Sequence, residues 1–289
     1  MTLLSLGLVL GSALIHASWN LWAKQIGDGV RRSSLLWLLT AFSALLYAPF
    51  ALAWLARADV RPALSWWPWI AGSGAIHIGY FYVLLAGYRR SDLSLVYPVA
   101  RGTGPLLAAL WAVIGFGERL SLPAGAGIVL VLSGVALLSV KSGLLHDARA
   151  GHGLRYGLAT GGFIALYTVW DAWAVKRVGI PPLVFYWSGE VVRFLLLAPL
   201  ALGARADVAR VWRTHRLRVL GIAVLSPLSY ILILIAFQHG NVSHVAPARE
   251  LSILIGAYLG TRVLGEGERR RRMAAAVAFA AGVILLALA

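Results

Sequence analysis

The sequence contains no cysteine and few charged side chains. Without Cys, its 289 residues can form no disulfide framework and no Cys-ligated metal site. Asp, Glu, Lys and Arg make up 13% of the chain, whereas soluble domains carry about 25%. Acidic residues are scarcer than basic ones, with 11 Asp and Glu against 26 Lys and Arg. With 60% apolar residues and a mean hydropathy of +0.79, the composition indicates an integral membrane protein.

Motifs of enzymatic chemistry are also missing. There is no GxxxxGK[ST] loop, so the sequence offers no ATP site. It has no HExxH pair, and its seven His residues form no Ser/His/Asp constellation, so we expect no catalytic residue, metal or cofactor. Membrane segments separate the basic residues that give the chain its net charge of +15. We therefore expect no nucleic-acid partner. An intramembrane enzyme and a scaffold without transport are the rivals from other classes.

Long apolar segments dominate the chain. A helix needs about 20 apolar residues to cross the hydrocarbon core of a bilayer. Ten segments reach roughly this length: 3–24, 33–56, 66–88, 94–116, 122–140, 154–175, 182–203, 217–238, 243–264 and 273–289. They predict an all-α membrane protein with ten transmembrane helices, arranged as a first unit (1–141), a connecting loop (142–153) and a second unit (154–289).

The two units repeat each other. The segment SLVYPVARGTGPLLAALWAVIGFGER at 94–119 corresponds to SHVAPARELSILIGAYLGTRVLGEGER at 243–269, so that Arg101 matches Arg249. Likewise, WNLWA at 19–23 corresponds to WDAWA at 170–174. Because each unit has an odd number of spans, the second must enter the membrane in the opposite sense. The repeats are therefore predicted to be inverted, a pattern typical of secondary transporters.

Charged side chains also occur inside the predicted spans, where each costs at least ~2.5–3.5 kcal/mol on insertion scales. Glu190 and Arg193 lie three residues apart on one helix face, so we expect them to neutralise each other. Arg101 and Arg249, at matched positions, predict a shared anion-binding site, although each could instead pair with an internal acid. Pro105 cannot donate to the carbonyl of Arg101, so we also expect a broken helix there, beside a cavity.

Two internal acids, Glu250 and Asp171, are candidates for binding an amine or carrying a coupling proton. Glu250 follows Arg249 directly, about 100° around a helix, so it needs another partner. That partner could be Arg101, a substrate amine or a proton. Asp171 is the counterpart of Asn20, and a carboxylate that titrates in a low dielectric suits proton coupling. A hydrogen-bonded structural role is the alternative for Asp171.

Polar and aromatic residues recur at matched positions. Asn20, His77, Tyr80 and Tyr230 lie on stripes that we expect to face inward, although His77 could be a satisfied interior histidine. Trp19 and Trp170 either wall a cavity or belong to the interfacial belt. Spans five and ten are rich in small residues and predict packing or dimer faces.

The basic residues predict an orientation. Of the 26 Lys and Arg, 18 fall on one side of the predicted spans and five on the other, and the remaining three are Arg101, Arg193 and Arg249. The positive-inside rule makes the heavier side cytoplasmic, so both termini are predicted to be extracytoplasmic.

Several of these motifs resemble those of the drug/metabolite transporter superfamily, in particular its ten-span EamA-type proteins. The motifs are His16-Ala17-Ser18-Trp19-Asn20, Val96-Tyr97-Pro98-x-Ala100-Arg101-Gly102, Gly117-Glu118-Arg119 and Pro247-x-Arg249-Glu250. The resemblance implies a multi-pass protein, located in a bacterial inner membrane, in which spans one to four and six to nine surround a central cavity. It also implies that small metabolites are the substrates.

Together these features predict a secondary active transporter of a small polar metabolite that carries a carboxylate, phosphate or phosphonate. The substrate would bind near the midplane, between the repeats, and Tyr97 joins the expected binding residues. The expected partners are the substrate, the lipid bilayer, a coupling proton or ion, and a second copy of the chain. Two alternatives stay open: a choline-like cation in an aromatic cage, and a lipid flippase.

Overall fold

The regular elements that the computed structural model describes are all helices. It describes residues 1–26, 30–58, 62–91, 93–139, 150–255 and 269–289. The helices are α1 (Leu3–Ile26), α2 (Arg32–Arg57), α3 (Trp67–Arg90), α4 (Leu93–Phe116), α5 (Leu122–Ser139), α6 (Ala150–Lys176), α7 (Pro182–Leu202), α8 (Arg205–His239), α9 (Val242–Ala248) and α10 (Arg269–Leu288). A 3-10 helix, Leu64–Trp66, precedes α3, and residues 251–255 are again helical.

Within the described residues, seven helices are long and apolar enough to cross a membrane. They are α1 to α4 and α6 to α8. Shorter apolar stretches, Leu122–Leu137 and Met273–Leu288, occupy α5 and α10. The predicted ninth span, 243–264, runs past the described residues after position 255. The chain is thus an all-helical membrane protein.

The predicted connecting loop extends too far at its C-terminal end. The loop was expected to cover 142–153, but α6 begins at Ala150; residues 142–149 lie outside the described part. Gly153 lies in this added turn and packs closely on α4, because a Cβ atom at this position would lie 2.5 Å from Leu95 Cδ2. The close approach of α6 to α4 therefore supports a helical start that local sequence does not signal.

The predicted break beside Arg101 is wrong. Helix α4 continues from Leu93 to Phe116 through Gly104 and Pro105. Gly104 packs against α6, where an added Cβ atom would lie 2.6 Å from Ile164 Cγ2. This packing holds the helix together around the proline.

The break lies instead at the matching position of the second unit. Helix α9 ends at Ala248, and residues 249–250 form a turn. Tight bonds close it: Glu250 N donates to Pro247 O (3.0 Å) and Ser252 N to Arg249 O (3.2 Å). Pro247 lies one residue nearer to Arg249 than Pro98 lies to Arg101, and it cannot donate an N–H. The second unit therefore turns where the first stays helical.

Contacts between the two units dominate the packing. Helix α1 packs on α8 as α6 packs on α3, and α2 packs on α8 as α7 packs on α3. Three helices pack on their own counterparts: α2 on α7, α4 on α9, and α5 on α10. Exchanging the units maps these contacts onto one another, as expected for two units related by a two-fold axis.

Helices α5 and α10 meet through glycines. A Cβ atom on Gly127 would lie 2.8 Å from Gly282 O, and one on Gly282 would lie 2.8 Å from Gly127 O. Gly134 similarly accommodates the ring of Phe279. Helix association within a bilayer depends on such van der Waals contact, because lipid removes the hydrophobic drive. The small residues of the fifth and tenth predicted spans thus form an interface within one chain.

We predict that Gly127→Ala destabilises the protein. The added methyl group must push α5 and α10 apart, and overpacking of this kind costs about 1–3 kcal/mol. Gly125→Ala, two residues away on the same helix, is the matched control, because its Cβ atom would meet only Leu120 Cδ2, at 3.9 Å. The melting temperature of detergent-purified protein should fall for Gly127→Ala and not for Gly125→Ala. Equal melting of the two variants would contradict this interface.

Candidate functional site

A cavity of about 330 Å³ lies between the two units. Its lining comes from α1 to α4, from α6 to α8 and from the turn after α9, and the described residues of α5 and α10 contribute nothing to it. The resemblance implies this same placement of a central cavity. The volume lies at the lower end of the range of small-molecule sites, about 300–1,000 Å³.

The cavity brings together most of the predicted binding residues. Eight of the eleven line it: Trp19, Asn20, His77, Tyr80, Tyr97, Arg101, Tyr230 and Arg249. The other three, Trp170, Asp171 and Glu250, do not belong to its lining.

The two repeat-matched tryptophans have different surroundings. The Trp19 indole lines the cavity, contacts the His16 ring edge-on at 4.8 Å, and lies 3.4 Å from Ser229 Oγ. The Trp170 indole instead donates to the Trp69 carbonyl (2.8 Å) and packs on Gly72, where a Cβ atom would collide with its ring. Trp170 therefore joins α6 to α3 in this structure.

Arg101 and Glu250 form a buried ion pair between the two units. Arg101 Nε lies 2.9 Å from Glu250 Oε2, and the two side chains are 8% and 1% exposed. The contact is an ion pair without hydrogen-bond geometry. Glu250 thus finds the first of its three predicted partners. Removing one member of such a buried pair typically costs about 3–5 kcal/mol, because the other charge is left uncompensated.

Glu190 and Arg193 neutralise each other, as their spacing predicts. Arg193 donates to Glu190 Oε1 over 2.8 Å, and both residues line the cavity. The Arg193 guanidinium also lies 5.3 Å from the centre of the Tyr186 ring. This second pair leaves no net charge on α7 at the cavity.

Arg249 differs from the other two buried arginines. It lines the cavity and forms no ion pair with any residue that the structure describes. Its guanidinium donates to Tyr167 Oη (3.0 Å) and lies 5.5 Å from the centre of the Tyr230 ring. An arginine held only by neutral groups retains its full positive charge beside the cavity.

Asp171 is a buried carboxylate whose close contacts are neutral side chains. It is 0% exposed, accepts a hydrogen bond from Tyr230 Oη (2.7 Å), and lies 3.8 Å from His77 Nε2. Its partner Tyr230 is the ring that faces Arg249, so one tyrosine separates the unpaired cation from the unpaired anion. Across the described residues, no three His, Asp or Glu side chains are grouped to hold a metal ion.

The residues predicted to bind substrate did not include two tyrosines that line the cavity. Tyr167 is central, since its ring stacks on His77 (4.4 Å), meets Tyr80 (5.7 Å), and its hydroxyl binds Arg249. The repeat offered a signal, because Tyr167 is the counterpart of His16. Tyr186 lines the same wall and contacts Tyr230. Its signal was its place four residues before Glu190, on the same helix face.

Glu118 attaches the end of α4 to the start of α9. Gly117 has a φ of 68°, which glycine adopts without strain, and the Glu118 N–H bonds back to Ala112 O (3.4 Å) to close the helix end. The two Glu118 carboxylate oxygens then accept the N–H groups of Val242 (2.8 Å) and Ser243 (2.9 Å). Glu118 thereby holds the short helix that leads into the turn carrying Arg249.

We predict that Glu118→Ala lowers stability more than a surface change beside it. Two hydrogen bonds to a charged group disappear, each contributing about 1.5–3 kcal/mol. Arg119→Gln is the matched control, because Arg119 is the exposed next residue. Thermal melting in detergent should show a clear loss for the first variant and none for the second. If both variants melt like the parent protein, Glu118 does not hold α9.

Comparison with known proteins gives a consistent result. A model of the EamA-like transporter family matches residues 3–140 and 152–288. No curated protein has a sequence that matches this chain. A crystal structure of a protein resembles it with a TM-score of 0.78 and 18% sequence identity, over 98% of this chain and 96% of the other. At this identity the structural likeness speaks for the fold alone.

Proposed function

The chain belongs to the EamA-like transporter family, and we propose that it is a secondary active transporter of a small metabolite carrying a carboxylate, phosphate or phosphonate group. One observation carries the choice of an anion. Arg249 places a buried positive charge on the cavity wall and has no carboxylate partner among the described residues. A buried charge of this kind is costly unless a partner compensates it, and an anionic substrate would be that partner.

The other two internal arginines support this choice because each already has a carboxylate partner. The pairs Arg101–Glu250 and Arg193–Glu190 are each neutral. Glu250 is thereby proposed as a structural residue that positions Arg101, and not as a ligand for an amine. Arginine suits carboxylate and phosphate groups because its planar guanidinium can donate two parallel hydrogen bonds.

The aromatic rings speak against the choline-like alternative. An organic cation would need open tyrosine or tryptophan faces. Here the arginines of the protein lie over those rings: Arg249 over Tyr230 and Tyr167, and Arg193 over Tyr186. A second cation in the same cavity would meet positive charge at these rings.

The apolar part of the cavity suggests the shape of the substrate. Leu36, Leu39, Ile78, Phe81 and Ile222 share the lining with the charged groups. We therefore propose a substrate that combines an anionic group with an apolar or aromatic body. Trp19, Tyr80 and Tyr97 would contact that body.

The proposed mechanism is alternating access between two inverted five-helix units. Lining residues come from both units, and the contacts of α1 with α8 and of α3 with α6 exchange when the units exchange. Rocking of one unit against the other would open the same site to each side of the membrane in turn. The Arg101–Glu250 pair spans the two units and would be remade or rearranged in each cycle.

We predict that small anionic ligands stabilise the protein and that this effect depends on Arg249. Carboxylates, phosphonates, sugar phosphates, amino acids and quaternary amines would be compared by thermal shift on purified protein. A ligand at 100 times its Kd adds about 2.7 kcal/mol of stability by mass action. Anion stabilisation should be lost in Arg249→Gln and partly retained in Arg249→Lys, which keeps the charge.

The paired arginine supplies the control. In the double variant Arg101→Gln/Glu250→Gln the neutral pair is removed as a unit, so anion stabilisation should persist. Stabilisation by quaternary amines alone, retained in Arg249→Gln, would reject the anion site in favour of a cation site.

We also predict that both termini face outside the cytoplasm of a bacterial inner membrane. The prediction rests on the 18 to five distribution of Lys and Arg across the predicted spans. A reporter enzyme that works only outside the cytoplasm should be active when fused to the C-terminus. Activity of a cytoplasm-restricted reporter at that position would reverse the orientation.

A further inference from the structure

We propose that Asp171 and His77 form a one-proton site, and that this site and the anion site at Arg249 are filled together. The inference deepens the proposed function by naming the coupling ion, and its transport consequence rests on that function. The proton site itself does not require that any substrate be transported.

Asp171 is the internal acid that remains unpaired among those described. Of the two acids predicted to carry a proton, Glu250 already has a charged partner, because Arg101 Nε lies 2.9 Å from its Oε2. The Asp171 carboxylate accepts the Tyr230 hydroxyl at 2.7 Å, interacts with the neutral Ser73 side chain and faces His77 Nε2 at 3.8 Å. A carboxylate without a cation in contact can exchange its proton at a smaller electrostatic cost than a paired one.

The hydrogen bonding of His77 leaves a place for the proton. Its Nδ1 lies 2.8 Å from the Ser73 carbonyl oxygen. A carbonyl oxygen can only accept, so Nδ1 carries the hydrogen and neutral His77 presents a lone pair at Nε2. That lone pair faces Asp171, so a proton on either group can be stabilised by the other. The pair takes up one proton because two would leave both groups as donors.

Other charged and titratable groups near Asp171 come from each element packed around it. Helix α3 contributes His77 and α6 itself Tyr167, while α8 contributes Tyr230. The Arg193–Glu190 pair on α7 and Arg249 in the turn after α9 act at longer range, and Arg101 on α4 is paired with Glu250. Apart from the neutral pairs, Arg249 is the one cation in this set.

Charge balance links the proton to the anion. With the two neutral pairs set aside, Arg249 contributes +1 and ionised Asp171 contributes −1, so the empty site is neutral. A monoanion at Arg249 would leave an excess negative charge inside the membrane, where such charges are costly. One proton on Asp171 and His77 restores neutrality. Only the empty site and the site holding both anion and proton are neutral. The anion and the proton should therefore cross the membrane together.

The duplication sets the stoichiometry at one proton. Asp171 corresponds to Asn20 in the first unit, where the amide lines the cavity and donates to the His16 carbonyl (2.7 Å). An amide does not take up a proton near neutral pH, so only the second unit supplies a carboxylate at this position. Asp171→Asn makes the two units alike at this position and removes the proton.

A ligand-free infrared titration tests the linkage. Purified full-length protein in lipid nanodiscs would be titrated with acid while the carbonyl band of protonated carboxylic acids is recorded. A band that appears on acidification and is absent from Asp171→Asn identifies the Asp171 proton. Arg249→Gln mimics the neutralisation that a bound anion causes, so proton affinity should rise about tenfold or more, as expected for removal of one nearby charge.

The controls separate charge from packing. Arg249→Lys retains the cation and should keep a proton affinity close to that of the parent protein. Arg249→Met provides a second neutral side chain if Arg249→Gln does not fold. His77→Gln should alter the band, since the facing nitrogen is lost. An Asp171 band that is absent, or one whose titration is the same with Gln, Lys and Arg at 249, overturns the proposal.

Failure of the transport proposal gives a different pattern. If no anion stabilises the protein in the thermal-shift comparison but the titration still depends on the charge at position 249, the proton site stands and the anionic substrate is wrong. If anions bind through Arg249 but substitutions at Arg249 leave the titration of Asp171 unchanged, the substrate class stands and proton coupling through Asp171 is wrong.

Discussion

Compensation of charge within a membrane is the constraint on which the site depends. A lone ionised side chain at membrane depth is costly, so each buried arginine of this chain needs a compensating partner or a functional role. Arg101 meets Glu250 from the other unit, and Arg193 meets Glu190 on its own helix. These pairs account for four of the six internal charges, and what they leave over is the cation Arg249 beside the cavity and the carboxylate Asp171 behind its lining. The function we propose follows from that remainder and not from the number of charges.

The backbone turn at residues 249–250 makes this division of charge possible. In a regular helix, successive side chains point about 100° apart. That angle alone does not direct Arg249 to the cavity and Glu250 to α4. The turn after α9 presents Arg249 to the cavity and Glu250 to Arg101. Glu118 holds the start of the same short helix through two backbone N–H groups. A carboxylate at the end of α4 thus positions a cation more than 100 residues later in the chain.

Much of the architecture could be predicted from the sequence, because repeats, apolar lengths and internal charges are local signals. The Glu190–Arg193 pair followed from helical spacing, and eight of the eleven predicted binding residues line the cavity. What failed depended on distant contacts. The helix around Pro105 stays intact because Gly104 packs on Ile164, and Trp170 is held at α3 because Gly72 leaves space for it. Neither partner lies within one helical turn of the residue it affects, so no periodicity reports it.

Duplication with a few substitutions explains how a symmetric fold could carry an asymmetric site. The first unit keeps a continuous helix around Arg101 and an amide at Asn20, whereas the second has a turn at Arg249 and a carboxylate at Asp171. Both departures fall in one unit, and Tyr230 connects them because its hydroxyl binds Asp171 while its ring faces Arg249. Had the carboxylate arisen in the first unit, it would have replaced Asn20 on the cavity wall, where a substrate anion would meet repulsion. Placed outside the lining, it can balance the arginine without competing for the ligand.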